Sequence, residues 1–251
     1  YSNTAVGAAT MTGAMTGTAI GNVAVGRNAL AAVTSGANNV GIGLSAGVAM
    51  TDTASTVLIG KNAGGAINDA GADGTVAIGF QAGLSITDGV ANTAIGYQAG
   101  QTIITGQYNT LFGWKTGNKL AHADADSNVF MGYAAGAGGS DTFANNSAAN
   151  NVGIGHLALG ATADHTANGN NFTGLFNTAL GDTSLKIITS GGYNTSLGGR
   201  SGVAMTTGQG NTLVGIDAGS STRFYKLHRG FQAQSNVIFQ TKDFDFGNAA
   251  K

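Results

Sequence analysis

Proline, cysteine and glutamate are all missing from the 251 residues. Without cysteine there is no disulfide framework, and no thiolate-ligated zinc or iron–sulfur site. Charge is scarce too: 9% of residues are charged, against roughly 25% in an ordinary soluble domain. The 12 acids are all Asp and are nearly balanced by 11 Lys and Arg, for a net charge of −1. That balance removes the electrostatic footprint of a nucleic-acid binder. Too few Glu, Lys and Arg are present for a helical bundle or coiled coil. No run approaches the ~18 apolar residues of a membrane-spanning helix, and no basic segment followed by an apolar one resembles a secretion signal. The chain starts at Tyr1 with a repeat motif already under way, as expected of a piece of a longer protein.

What is abundant is glycine, 43 residues of it, and its placement is periodic. The pattern Asn-(Thr/Val)-x-apolar-Gly occurs twelve times, starting at residues 3, 22, 39, 56, 75, 92, 109, 128, 151, 177, 194 and 211. The base spacing is 17 residues, lengthened to 19 in places and to 23 and 26 in two neighbouring repeats. Position one is Asn except at Thr56 and Thr75, position two is Val or Thr, position four is apolar, and position five is always Gly. Position eight is Ala, Ser or Thr. Glycine throughout position five implies a backbone conformation or a close approach that a side chain forbids.

Seventeen residues are too few for a helix pair, but they suit one coil of a β-solenoid. The expected fold class is therefore all-β: a parallel solenoid of about twelve coils, ~58 Å long at ~4.8 Å per step. The motif supplies one strand, and runs such as Gln101–Thr105 and Lys186–Thr189 are expected to supply a second. Alternation assigns positions two, four and eight to the interior and position three to the outside. An outward position-three stripe, holding residues such as Leu58, Leu111 and Phe130, would need cover from sister chains. The position-one amides are expected to form a ladder from coil to coil.

The segments Asn92-Thr-Ala-Ile-Gly-Tyr-Gln-Ala-Gly100 and Asn109-Thr-Leu-Phe-Gly-Trp-Lys-Thr-Gly117 resemble the NTAIGYxAG repeats of bacteriophage tail-fibre proteins. They are also similar to the SVAIGxxSxA repeats of trimeric autotransporter adhesin heads, whose repeat is shorter. The likeness covers residues 3–219. It implies a homotrimeric rod forming the shaft of a phage tail fibre, part of the virion and engaged in host attachment. The alternative is a bacterial surface adhesin head or secreted filament subunit at the cell surface. Implied partners are sister chains, adjoining fibre or virion modules, and a cell-surface glycan or protein receptor; nucleic acid and membrane insertion are not among them. Enzymatic activity, cofactor and metal are not expected.

Residues 1–219 are assigned to the shaft and 220–251 to a C-terminal cap or junction. The latter hold six of the 18 aromatics, and five cations against two Asp give +3. Asn236–Thr241 alternates like a strand. Two long connections, 137–150 and 160–176, are the candidate receptor-contact loops, carrying Asp141, Phe143, Asn145, Asn146, Asp164, His165, Asn170 and Phe172. Neither Asp124-Ala-Asp126 nor Asp243-Phe-Asp245 matches a dedicated calcium loop. Glycine-rich stretches lack the Lys-Ser/Thr of a phosphate loop. The position-two threonines, assigned inward, do not make an ice-binding array. His156, at position six, reads as a variable surface site.

Overall fold

A computed structural model describes residues 2–68, 70–120, 123, 125–138, 147–160 and 172–220, together with the strand 236–239. It is a parallel β-solenoid. Twelve short strands fall on the twelve motifs: β1 (Thr4–Val6), β2 (Val23–Val25), β3 (Val40–Ile42), β4 (Val57–Ile59), β5 (Val76–Ile78), β6 (Thr93–Ile95), β7 (Thr110–Phe112), β8 (Val129–Met131), β9 (Val152–Ile154), β10 (Thr178–Leu180), β11 (Thr195–Leu197) and β12 (Asn211–Val214). Each pairs in parallel with the next, always motif position to motif position, as in Thr93↔Thr110 and Ile95↔Phe112. The 19-, 23- and 26-residue coils keep this register, so their extra residues are absorbed between strands. Among the described residues, one 3-10 turn at Ala70–Ala72 is the only helical element.

A thirteenth strand, β13 (Asn236–Phe239), pairs in parallel with β12, Asn211 opposite Asn236. The motif continues here as Asn-Val-Ile-Phe, with Gln240 where the twelve earlier copies have Gly. The expected strand is thus present, and it extends the same sheet.

The expected second strand is absent from the coil. Residues 101–105 and 186–189 are turns and bends. Their neighbourhood is still paired from coil to coil through the backbone, for example Leu30 N–H to Ala46 O at 2.9 Å and Gly47 N–H to Ala63 O at 2.9 Å. The reason is local conformation. Positions seven and nine have positive φ in every coil, whether or not they are glycine: Gln98 at +54° and Leu157 at +52° at position seven, Leu30 at +46° and Gly100 at +56° at position nine. A left-handed residue at every other position turns the chain immediately before residues 101–105 and 186–189, which continue that turn at 101–102 and 186–187 and then bend at 104–105 and 189. The β-branched residues of the connecting half are used for bulk, and Ile103 and Ile188 are fully buried.

The structure also inverts the expected faces of the strand. Position three points inward: Ala24, Leu58, Ala77, Ala94, Leu111, Phe130, Ala179, Ser196 and Leu213 are fully buried. Positions two and four point outward and are half-buried or exposed in all twelve coils. Position eight does face the core, with Ala29, Ala99, Thr116 and Ser201 among its buried members. Parity carried across position five fails because the chain turns there. Gly113 has φ +135°, and an added Cβ would stand 2.2 Å from the Gly132 carbonyl oxygen. Both expected reasons for the glycine, conformation and close approach, therefore apply.

Position-one side chains are buried in coils two to twelve and form the expected ladder. Asn128 Oδ1 accepts from the backbone N–H of Asn151 at 3.1 Å, and Asn128 Nδ2 donates to Asn109 Oδ1 at 3.0 Å and to Ala148 O at 2.8 Å. The amide-to-amide chain runs unbroken from Asn92 to Asn211. At Thr56 a hydroxyl substitutes, donating to Asn39 Oδ1 at 2.8 Å.

Candidate functional surface

With position three inside, the outward strand face carries two parallel columns. Position two is Val or Thr. Position four runs Val6, Val25, Ile42, Ile59, Ile78, Ile95, Phe112, Met131, Ile154, Leu180, Leu197, Val214. An apolar stripe does run the length of the rod, but it is carried by position four, with Val or Thr beside it at position two, and not by position three. Its most prominent interior member, Phe112, is 52% exposed. The threonines of position two, Thr4, Thr93, Thr110, Thr178, Thr195 and Thr212, lie on this face, so the inward orientation expected for them is also corrected. Aliphatic or aromatic side chains stand beside every one of them at position four, and no Thr-x-Thr array results.

One residue beyond the glycine corner, position six builds a second feature that the sequence reading missed. In coils five to nine, where a coil takes the number of its motif, this column reads Phe80, Tyr97, Trp114, Tyr133 and His156. Parallel pairing in register stacks these rings. Centroids are 5.1 Å apart for Phe80–Tyr97, 6.1 Å for Tyr97–Trp114 and 4.5 Å for Trp114–Tyr133, with planes within 14° of parallel. His156 follows at 5.3 Å, tilted by 34°. Lys61, the position-six residue of coil four, closes one end, its Nζ 5.8 Å from the Phe80 ring. Asp182 closes the other, with Oδ1 2.7 Å from His156 Nδ1. Lys115 lies over Trp114 at 4.5 Å. Stacking occupies the ring faces and leaves the edges to solvent. Tyr97, Trp114 and Tyr133 remain 39–48% exposed. The signal was available in the sequence: read down the column, the aromatics are consecutive. Read along the chain, they are 17–23 residues apart and look unrelated.

Of the residues nominated as receptor contacts, Phe172 is described, and it is fully buried in the core. It fills the interior of an enlarged coil and is not a surface aromatic. Asp141, Phe143, Asn145, Asn146, Asp164, His165 and Asn170 lie outside the described residues. Asp126 has a local role: its Oδ1 accepts the Gln107 backbone N–H at 2.7 Å. Asp73 does the same for Ala54 in the other internal 19-residue coil. Among the described residues no three His, Asp, Glu or Cys side chains gather as a metal site would require. Comparison of the chain with protein-family models, curated proteins and solved structures finds no match.

Proposed function

We propose that the chain is the shaft of a structural and adhesive fibre, assembled as a homotrimer, and that it belongs to a phage tail fibre involved in host-cell attachment. The observation that carries this reading is the outward stripe of positions two and four. Its position-four column is apolar in all twelve coils and its position-two column is Val or Thr, and an apolar column running the whole length of a rod calls for cover. A surface that repeats every ~4.8 Å over ~58 Å is matched step for step by another copy of itself and by little else. Three rods turning these stripes toward a common axis bury them all. The number three and the phage setting follow the resemblance of the repeats. The role is mechanical: a stiff, parallel-paired rod holds a connecting or receptor-binding element away from its base, and three copies multiply weak contacts. The expected partners are sister chains, adjoining fibre or virion modules, and a cell-surface glycan or protein. The virion is the expected location.

The test is native mass together with a surface variant. The parent chain is expected at three times its own mass. Substituting Ile42→Lys, Ile154→Lys and Leu197→Lys, each about 37% exposed, leaves the coil interior untouched. It places like charges together at the axis, and monomers with an unchanged β-type far-UV spectrum are expected. A parent chain that is monomeric at micromolar concentration rejects the assembly.

A further inference from the structure

Near-identical coils create a problem that a single rod does not have. If two copies pack stripe to stripe, sliding one by a single coil keeps eleven of twelve steps in contact and, outside coils seven and eight, exchanges only Val, Ile or Leu at position four and Val or Thr at position two. The stripe alone thus specifies adhesion but only weakly specifies alignment, as for any flat repetitive β surface. Alignment needs a place where the coils stop being alike.

Coils six to eight are that place. Here position four departs from Val, Ile and Leu, with aromatic Phe112 and the long, unbranched Met131, and position six carries Tyr97, Trp114 and Tyr133. All five are exposed, and all lie within three consecutive steps of the stack. Elsewhere position four is Val, Ile or Leu. Position six changes character on both sides, to Arg27, Leu44 and Lys61 before Phe80, and to Asp182 and Gly199 after His156. The rings stack on one another, with cations over Phe80 and Trp114, so they form a continuous ridge. Area points the same way. The two-column stripe, ~58 Å by ~10 Å, offers roughly 600 Å² per chain, short of the ~800 Å² per partner of a standard stable interface. The ring column as a whole, coils five to nine with the ridge at its centre, is about five steps long and adds on the order of 200 Å².

We propose that the aromatic ridge of coils six to eight is a self-recognition surface whose occupant is a second copy of this chain, and that it fixes the axial register between copies. This rests on the assembly proposed above. In register, every copy brings its ridge to the same height and the bulky side chains meet as one belt. One coil out of register, Trp114 and Phe112 face a step built for smaller residues, and part of the belt is left in water.

Absence of native cysteine makes the register directly measurable. Two differently tagged chains are co-expressed, one carrying Val25→Cys and the other Ile42→Cys. These are outward position-four sites of coils two and three, remote from the ridge. Parallel co-expressions carry Val25→Cys on both tagged chains, then Ile42→Cys on both. In the parent background, oxidation is expected to link 25 to 25 and 42 to 42 across chains, with no 25-to-42 product. The ridge is then erased by Tyr97→Ser, Phe112→Ile, Trp114→Ser, Met131→Ile and Tyr133→Ser, which make coils six to eight read like the others without touching the core. The erased variant is expected to keep its oligomeric mass and to gain the 25-to-42 product, at a yield comparable to the same-site products. An oligomer that keeps same-site linkage after erasure overturns the proposal, because the long connections would then set the register. Dissociation of the erased variant overturns it too, since the ridge would be glue and not gauge. A monomeric parent chain removes the assembly itself, and with it this inference.

Discussion

A buried asparagine in each of nine coils is an expensive choice unless all its polar atoms are used. Asn128 shows how they are. Its carbonyl oxygen takes the backbone N–H of Asn151 and its amide serves both Asn109 and Ala148, so one side chain closes a corner in three coils. Asn128→Ala leaves the Asn151 N–H and the Ala148 carbonyl buried without those partners, at about 1–3 kcal/mol each. A loss of roughly 2–5 kcal/mol in denaturant unfolding is expected. Asn128→Thr is expected to cost about half as much, because threonine hydroxyls in this column already donate to the preceding amide oxygen, Thr56 to Asn39 Oδ1, and to the carbonyl equivalent to Ala148 O, Thr75 to Gly89 O. Equal losses for the two variants would show that the hydrogen bonds at this corner are not what the residue is kept for.

At the scale of the coil, the governing constraint is width. Position twelve supplies one large core side chain in many coils, such as Ile67, Leu120 and Ile188, and positions three and nine compete for the space that is left. Where position nine is Leu, position three is small. Leu30 lies against Gly41, whose added Cβ would approach it to 2.6 Å, and Leu159 borders Gly153 at 3.3 Å. Where position three is large, position nine is Gly: a Cβ on Gly136 would stand 2.1 Å from the Phe130 ring, and Leu58 fills the space beside Gly47 and Gly64. Phe130→Ala is therefore expected to cost about 3–5 kcal/mol. Adding Gly136→Leu recreates the Ala24, Leu30, Gly41 arrangement of coils two and three, with a residue type that already adopts positive φ at Leu30, Leu159 and Leu185. The double variant is expected to regain on the order of 1–2 kcal/mol. If Gly136→Leu worsens Phe130→Ala, the two positions do not trade volume. The same width explains what the sequence concealed. Coil period, strand position, parallel register and the asparagine ladder were legible because each repeats as a column. The faces were not, because Val and Ile at positions two and four look like a core while Ala at position three looks like a surface. A small residue is enough at position three where position nine or twelve supplies the bulk, as Leu30 does beside Ala24 and Ile103 in the coil of Ala94. The outward stripe was legible in kind but assigned to the wrong column, and the aromatic ridge was visible only once coils were read in stacking order.

Over the whole molecule, stability is close to a sum over coils and their contacts with the next, since each coil touches little besides its neighbours. The register survives connections of 17 to 26 residues, so what each coil must supply is a motif, a corner asparagine and a core side chain, not a fixed length. Removing one complete unit should then be tolerated where removing part of one is not. Deleting Thr75–Ala91 joins Gly74 to Asn92 and brings Val57 opposite Thr93, with the asparagine-type corner and the glycine column continuing across the junction. The product is expected to fold and to be shorter by ~4.8 Å, measured by small-angle scattering or electron microscopy. It should lose only a modest share of its unfolding free energy. Deleting nine residues from within the same segment, 80–88, removes the bend, its left-handed positions and the core residue Ile86, leaving β5 joined to β6 by a span too short to complete a turn. That variant is expected to lose pairing between coils four and six and to be cut there by protease. Equal resistance of the two deletions would mean that the rod is stabilised by something other than stacking of whole coils. The aromatic ladder loses Phe80 in both, so the comparison isolates coil integrity from ring stacking.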